Sequence, residues 1–342
     1  MADITVRGAG IFGLSVAWVC SRRGARVRVI DPHGPGAGAS GGVVGALAPH
    51  VPENWNDKKA FQFDSLIMAE AFWADVAEIS GGSPGYARTG RIQPVPDAAA
   101  LSRARDRETS AARLWQGKAD WRVEPAAGDW CPRSATGYVI RDTLTARLHP
   151  RRACDTLAAA LRARGGEVTY EGDDEGRVLW ATGVADLERL TAGHHRLVGG
   201  GVKGQAAVLE IDARDHPQLF ADGVHVVPHA DGTTAIGSTS ERDYDDPAST
   251  DAQLDAVIAR AVAAVPVLAG APVLARWAGV RPRARSRAPM LGPHPAHAGQ
   301  FIANGGFKIG FGMAPKVAEV MADLMLDGVD RIPEGFRPET SL

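Results

Sequence analysis

Three groups of residues in this chain combine types and spacing that can do chemistry. The first is Gly8, Gly10 and Gly13, a G-x-G-x-x-G turn enclosing Ile11 and Phe12; the β-branched run Ile4-Thr5-Val6 enters it and a helical pattern from Leu14 to Arg23 leaves it. Gly8 permits the tight turn, Gly10 lets the backbone approach a pyrophosphate, and Gly13 lets helix and strand pack closely. The helix N-terminus then offers free N–H groups and a positive dipole end to phosphates. Gly24 closes the helix, Ala25 to Ile30 reads as a second strand, and Asp31 stands about twenty residues past the glycines, where a ribose hydroxyl is held. The second group is the loop Pro32 to Gly45, with Ala39-Ser40-Gly41-Gly42 at its centre, whose backbone can wrap a phosphate or sugar chain. The third lies near the C-terminus. Arginines 276, 281, 283, 285 and 287 precede a glycine-rich segment from Asn304 to Gly312.

These groups need elements to position them. The spacing predicts a helix from Leu66 to Ile79 ending at Gly81-Gly82, and a polar helix from Ala98 to Gln116. An amphipathic helix is expected over Pro150 to Arg164, with proline near its start and Gly165-Gly166 after its end. Glu167 to Tyr170 and Val178 to Gly183 read as strands, the second entering a glycine turn. Extended segments follow at Ala206 to Ile211, Val224 to Pro228 and Thr233 to Ser238. Leu254 to Val265 reads as a helix closed by Pro266, Gln300 to Ala303 as a strand, and the last helix carries Val317, Val320, Met321, Leu324 and Met325 on one face. The β/α elements lie at the start, middle and end, with strand-rich segments between them. This order predicts an α/β fold, α+β overall: a Rossmann-like dinucleotide-binding domain interrupted by an inserted mixed or antiparallel-sheet substrate domain. The expected division is 1–82, 146–204 and 282–342 for the first, and 83–145 and 205–281 for the second.

A chain of 342 residues with 45% hydrophobic and 23% charged residues has an ordinary globular composition. Its net charge of −2 gives no electrostatic reason to expect a nucleic-acid partner. Cys20, Cys131 and Cys154 are odd in number and widely spaced, which suggests neither a disulfide framework nor a metal site and favours a reducing cytoplasm. The apolar stretch around Ile11 to Val19 is too short to span a bilayer. Binding to a membrane is not expected, and a homo-oligomer is left open.

Gly8 to Gly13, Asp31, Ala39-Ser40-Gly41, Ala181-Thr182-Gly183, Gly279-Val280-Arg281-Pro282, Pro289-Met290-Leu291-Gly292 and Gly305 to Pro315 occur in that order. Together they resemble the FAD-dependent D-amino-acid oxidase superfamily, in its glycine oxidase and sarcosine oxidase branch. The resemblance covers nearly the whole chain, most strongly residues 1–50 and 275–326 and only weakly 97–145. It implies FAD bound without a covalent link. It also implies an enzyme that oxidises the C–N bond of a small amino acid or secondary amine by hydride transfer to flavin N5, giving an imine that hydrolyses. The cofactor residues it implies are Gly8, Gly10, Ile11, Phe12, Gly13 and Asp31, then Ser40, Gly41 and Gly45, then Thr182 and Gly183. Gly306, Lys308, Ile309, Gly310, Phe311 and Gly312 complete that set.

Arg281 matches the arginine that pairs with a substrate carboxylate in amino-acid-oxidising relatives, as a guanidinium fork can. Lys308 matches a basic position that serves either a carboxylate or flavin O2. His225 stands where glycine oxidase-like proteins carry a substrate-touching tyrosine, and His50 is a candidate neighbour of the isoalloxazine. The alternative to these roles is structural or solvated. Gly306 to Met313, taken as the approach to the last helix, is expected to stabilise negative charge on the reduced flavin. Ala235 and Thr239 stand where sarcosine oxidase relatives carry an oxygen-activating lysine and a histidine, which argues for a slow reaction with O2. A second resemblance rests on Ala39-Ser40-Gly41, Gly45-Ala46-Leu47-Ala48-Pro49 and Gly279-Val280-Arg281. These are similar to the FAD domain that removes a carboxymethyl group from tRNA wobble uridine.

Overall fold

The computed structural model describes residues 1–342. The N-terminal unit forms as its pattern predicts: β1 (Ile4–Arg7), α1 (Ile11–Arg22) and β2 (Val27–Ile30). A short strand β3 (Ala46–Leu47) leads to α2 (Asp57–Ser80), β4 (Arg91–Pro94), α3 (Ala98–Leu114), β5 (Trp121–Pro125), β6 (Tyr138–Asp142) and β7 (Ala146–Arg147). The middle of the chain holds α4 (Pro150–Ala163), β8 (Glu167–Thr169), β9 (Arg177–Trp180), α5 (Val184–Ala192) and the long β10 (Gly199–Leu209). Then come β11 (Gln218–Ala221), β12 (Val224–Pro228), β13 (Thr234–Gly237) and α6 (Ala252–Ala264). The chain ends with β14 (Val273–Ala284), β15 (Met290–Pro293), β16 (Phe301–Asn304) and α7 (Gly310–Ala322).

Two large sheets organise most of these elements, and β3 and β7 pair apart from them as an antiparallel two-stranded sheet. One has six strands in the order β15-β16-β9-β1-β2-β8, parallel except for β15. The strand order reverses direction at β1, whose neighbours are β2 on one side and β9 on the other, so the crevice beyond its C-terminal end is the switch point where α/β sheets bind ligands. Helices α1, α2, α4 and α7 cover this sheet with a shared core that includes Leu14, Trp18, Leu66, Trp73, Leu157, Leu161, Val317 and Met321. The other sheet has eight strands in the order β14-β10-β13-β12-β11-β4-β6-β5 and is antiparallel except where β11 meets β4. Helix α6 packs Leu254, Val257 and Ala261 onto its face against Leu209, Val226 and Ile236. This is the Rossmann-like arrangement with a second, mixed sheet that the element order predicts.

The differences from the sequence reading have local causes. Helix α2 starts at Asp57 rather than Leu66, because Asn56 caps it by accepting from the Lys59 N–H at 3.1 Å, a signal outside the apolar periodicity. Strand β14 was not anticipated as a twelve-residue strand; it pairs along its length with β10. The expected domain boundaries at 204/205 and 281/282 fall inside β10 and β14, both wholly part of the larger sheet. Helix α7 begins at Gly310, so Gly310-Phe311-Gly312 is its first turn rather than an approach to it.

Gly8 and Gly13 fix the entry to α1. Gly8 has φ of +105°, and a Cβ there would lie 2.4 Å from the Ala181 carbonyl oxygen at the end of β9. A Cβ on Gly13 would lie 2.0 Å from the Gly8 carbonyl oxygen. Gly13→Ala is therefore expected to destabilise the fold by at least the 1–3 kcal/mol, roughly, typical of overpacking, as measured by urea denaturation. Unchanged stability would mean that α1 can lift off β1 without cost.

Candidate functional site

A cavity of about 1080 Å³ opens at the switch point of the six-stranded sheet and runs to the face of the eight-stranded one. Its first wall is the β1–α1 turn, with Gly8, Gly10, Ile11 and Phe12, and Asp31 at the end of β2. Asp31 is held by backbone: its Oδ2 accepts from the Ala9 N–H at 2.8 Å and its Oδ1 from the His33 N–H at 2.9 Å. Ser40 and Gly45 line the cavity from the following loop, and Ser40 Oγ accepts from the Ile11 N–H at 3.0 Å. This places a hydroxyl on the first free amide of α1. Thr182 and Gly183 line the opposite side, and the buried Thr182 Oγ1 has no protein partner.

The other end is closed by Gly306, Lys308, Gly310 and Phe311 around the start of α7, by Phe220 and His225 of the β11–β12 hairpin, and by Ser238, Trp277 and Arg281. The first turn of α7 contributes N–H groups that a helix leaves without internal partners. Two helix N-termini, from opposite ends of the sequence, thus line one cavity. A smaller chamber of about 200 Å³ adjoins it and shares Ala46, Phe220, His225 and Lys308 as walls. His50, Ile309 and Gly312 line only this chamber. Gly13 and Gly41 line neither; a Cβ on Gly41 would lie 2.1 Å from the Gly36 carbonyl oxygen, so its role is to let the loop fold on itself.

Arg281 has the most informative surroundings. Its Nη2 donates to Ser238 Oγ at 2.8 Å, while its Nη1 is buried without a partner. The guanidinium lies where a side chain on Gly204 would be, since a Cβ there would meet Nη1 at 1.7 Å. Burial pulls its pKa down to about 10, opposed by the nearby Glu241 carboxylate. Glu241 is buried and engaged: Oε1 accepts from Gln205 Nε2 at 3.1 Å and contacts Thr239 Oγ1, and Lys203 Nζ lies 3.8 Å from Oε2.

Lys308 rests over the Phe307 ring at 5.6 Å, and its pKa is lowered by desolvation and by Arg281 and Arg283. The His225 ring packs at a tilt of 42° against Phe220, centroids 4.5 Å apart, and its Nδ1 is buried without a partner. Desolvation, with Arg91 and Lys308 adding repulsion, lowers its pKa to about 3, so it is a neutral imidazole in ordinary buffers. His50 is also pushed down by burial, against a hydrogen bond between its Nδ1 and Gln62 Oε1. None of Cys20, Cys131 and Cys154 lines either cavity. Ala235, read as the position bearing on O2, is fully buried in β13 and faces neither chamber; Thr239 belongs to the network around Glu241. No helix is long and apolar enough to cross a membrane.

Several wall residues escaped the sequence reading. Trp277 lies on the same face of β14 as the anticipated Arg281, the two standing two positions either side of Gly279, and strand alternation in 273–284 would have linked them. Phe220 and Ser238 carry no local signal, and neither does Gly204, which lies behind Arg281 rather than in the wall, because their roles come from strands paired across the sheet. The segment after β8 brings Tyr170 and Glu171 to the Asp31 end, although its sequence suggested no contact.

Residues 3–324 match the family model described as FAD dependent oxidoreductase. The glycine oxidase of Pseudomonas putida is 27% identical, over 99% of each chain; a bifunctional tRNA 5-methylaminomethyl-2-thiouridine biosynthesis protein of Maricaulis maris is 28% identical, over 98% of this chain and 54% of its own. The solved structure of glycine oxidase from Geobacillus kaustophilus superposes with a TM-score of 0.83 at 21% identity, over 98% of both chains.

The histidine in the cavity wall has a thermodynamic consequence. Above pH 6.5 folded and unfolded chains both hold His225 neutral; below it the unfolded chain takes a proton that the folded site refuses until about pH 3. Stability should therefore fall as pH drops through this window, by up to about 1.4 kcal/mol per pH unit from this one group. His225→Phe should flatten that dependence between pH 6.5 and 4.5 in urea titrations. An unaltered slope would show that His225 titrates normally in the folded chain.

Proposed function

The chain belongs to the FAD-dependent oxidoreductases, and from that premise we propose that it oxidises the C–N bond of a small amino acid or secondary amino acid. The observation that carries this reading is the buried Arg281 Nη1, unpartnered and facing the same cavity as two helix N-termini.

The cavity fits the cofactor. The Gly8 and Gly10 backbone at the N-terminus of α1 would hold the pyrophosphate, with Ser40 Oγ displaced or shared at the Ile11 amide. Asp31, whose carboxylate has lone pairs beyond the two given to Ala9 and His33, would take a ribose hydroxyl. Tyr170 and Glu171 would flank the adenosine end, and Thr182 Oγ1 would find its missing partner along the chain of the cofactor. The first turn of α7, with Gly310 and Phe311, would face the edge of the flavin that gains negative charge. FAD, when bound, supplies the acceptor for the two electrons and hydrogen that leave the substrate carbon.

The side chains then have separable tasks. Arg281 grips the substrate carboxylate as a fork, which fixes distance and orientation together. Ser238 Oγ holds the guanidinium in plane, and Glu241 stabilises its charge without occupying the fork. Neutral His225 offers its free Nδ1 to the substrate amine or carboxylate without bringing a charge. Trp277 and Phe220 wall the cavity against water. The substrate nitrogen loses a proton and its carbon a hydride, giving an imine that water cleaves to an oxo acid and free amine.

The test is anaerobic mixing of the FAD-loaded protein with a panel of amino acids and N-methyl amino acids, following the 450-nm region for flavin bleaching. Arg281→Ala should weaken binding of such substrates by about 2–5 kcal/mol, with FAD retained. Arg281→Lys should recover only part, because an ammonium cannot form the fork. Substrate affinity unchanged in Arg281→Ala would remove the arginine from the site. Bleaching by a carboxymethylated tRNA and by no amino acid would instead favour the second reading, the one suggested by the similarity to the tRNA-modifying protein.

A further inference from the structure

Five permanent cations line the two chambers: Arg7, Arg91, Arg189, Arg281 and Lys308. Arg7 is paired with Asp174 at 2.7 Å, Arg91 with Asp142 at 3.0 Å, and Arg189 with Asp186 at 3.1 Å.

 Three are neutralised by those carboxylates. Arg281 and Lys308 alone have no carboxylate in contact, and they stand at the same end of the cavity. The acids that line the larger chamber, Asp31 and Glu171, belong to the glycine-turn end, and no acid lines the smaller one.

We propose that the substrate carries two carboxylates: the one beside the oxidised C–N bond on Arg281, and a second, on a short arm, at Lys308 where the two chambers meet. This rests on the amino-acid reading of the site and adds the substrate class to it. A single carboxylate seated in the Arg281 fork brings one negative charge to two cations, which leaves Lys308 without a counter-charge of its own. Lys308 is a wall of both chambers, so an anion beside it can extend from the larger into the smaller. The smaller chamber suits such an arm. Its other polar walls are Arg91, tied to Asp142, the neutral imidazoles of His50 and His225, and Gln62, whose Nε2 donates to the Ala48 carbonyl at 3.2 Å. Arg281 and Lys308 repel one another, and two anionic groups relieve a repulsion that one leaves in part.

The experiment uses the FAD-loaded protein and ligands that cannot be oxidised at a C–N bond. Acetate and propionate are compared with malonate and succinate, with dissociation constants read from the perturbed flavin spectrum at fixed ionic strength. The expected result is that at least one dicarboxylate binds about tenfold or more tightly than its monocarboxylate counterpart. Lys308→Met should abolish that ratio and Lys308→Arg should restore it. Equal affinity for the two classes overturns the proposal, and so does a Lys308→Met variant that weakens both classes equally, which would assign Lys308 to the cofactor. Anaerobic mixing with both enantiomers of alanine and aspartate separates the two claims. Bleaching by alanine in preference to aspartate overturns the dicarboxylate proposal and leaves amino-acid oxidation standing. Bleaching by neither, nor by any other member of the amino-acid and N-methyl amino-acid panel, with the binding ratio intact, removes amino-acid oxidation and keeps the two-anion site.

Discussion

A guanidinium held inside a protein with no carboxylate in contact is costly, and the candidate site depends on how the fold sustains one at Arg281. Three features share that task. Gly204 leaves the volume that the guanidinium fills, Ser238 accepts one of its hydrogen bonds, and Glu241 supplies a compensating field from outside the fork. Glu241 is itself restrained by Gln205, Thr239 and Lys203, so it cannot swing in to satisfy the arginine. The result is a cation with one buried face left open to the cavity.

That arrangement requires the register of β10 against β14. Gly204 pairs with Gly279, and Arg281, two residues along, pairs with Val202. Gly204 is therefore the diagonal neighbour of Arg281, within reach of a long side chain. A one-residue slip would turn Arg281 to the opposite face of the sheet and put Trp277 there with it. The length of the β10–β14 pairing makes such a slip expensive, which accounts for a twelve-residue edge strand in this position.

The dinucleotide half is built on a different constraint, the contact of backbone with backbone. Gly8 lies against the Ala181 carbonyl and Gly13 against the Gly8 carbonyl, which fixes the end of β1, the end of β9 and the start of α1 as one unit. Helix α7 packs beside α1 in the same core, so its first turn opens onto the same cavity. Positive dipole ends from both helices, and the two cations without acid partners, give the cavity a consistent preference for anionic groups along its length.

The glycine turn, Asp31, the helices over 98–116 and 150–164 and the strand Val224–Pro228 were legible in the sequence, because each rests on spacing within one element. The turn residues Gly8, Gly10 and Gly13 encode their own geometry, and a proline start with a glycine stop marks α4 without help from the rest of the chain. The open fork of Arg281, the depressed pKa of His225 and the second chamber were decided only by tertiary structure. Each depends on what lies opposite rather than what lies adjacent: Gly204 across a strand pair, Arg91 from a strand more than a hundred residues earlier, His50 from the loop before α2. Burial and charge at a point are sums over neighbours in space, and a sequence lists neighbours only along the chain.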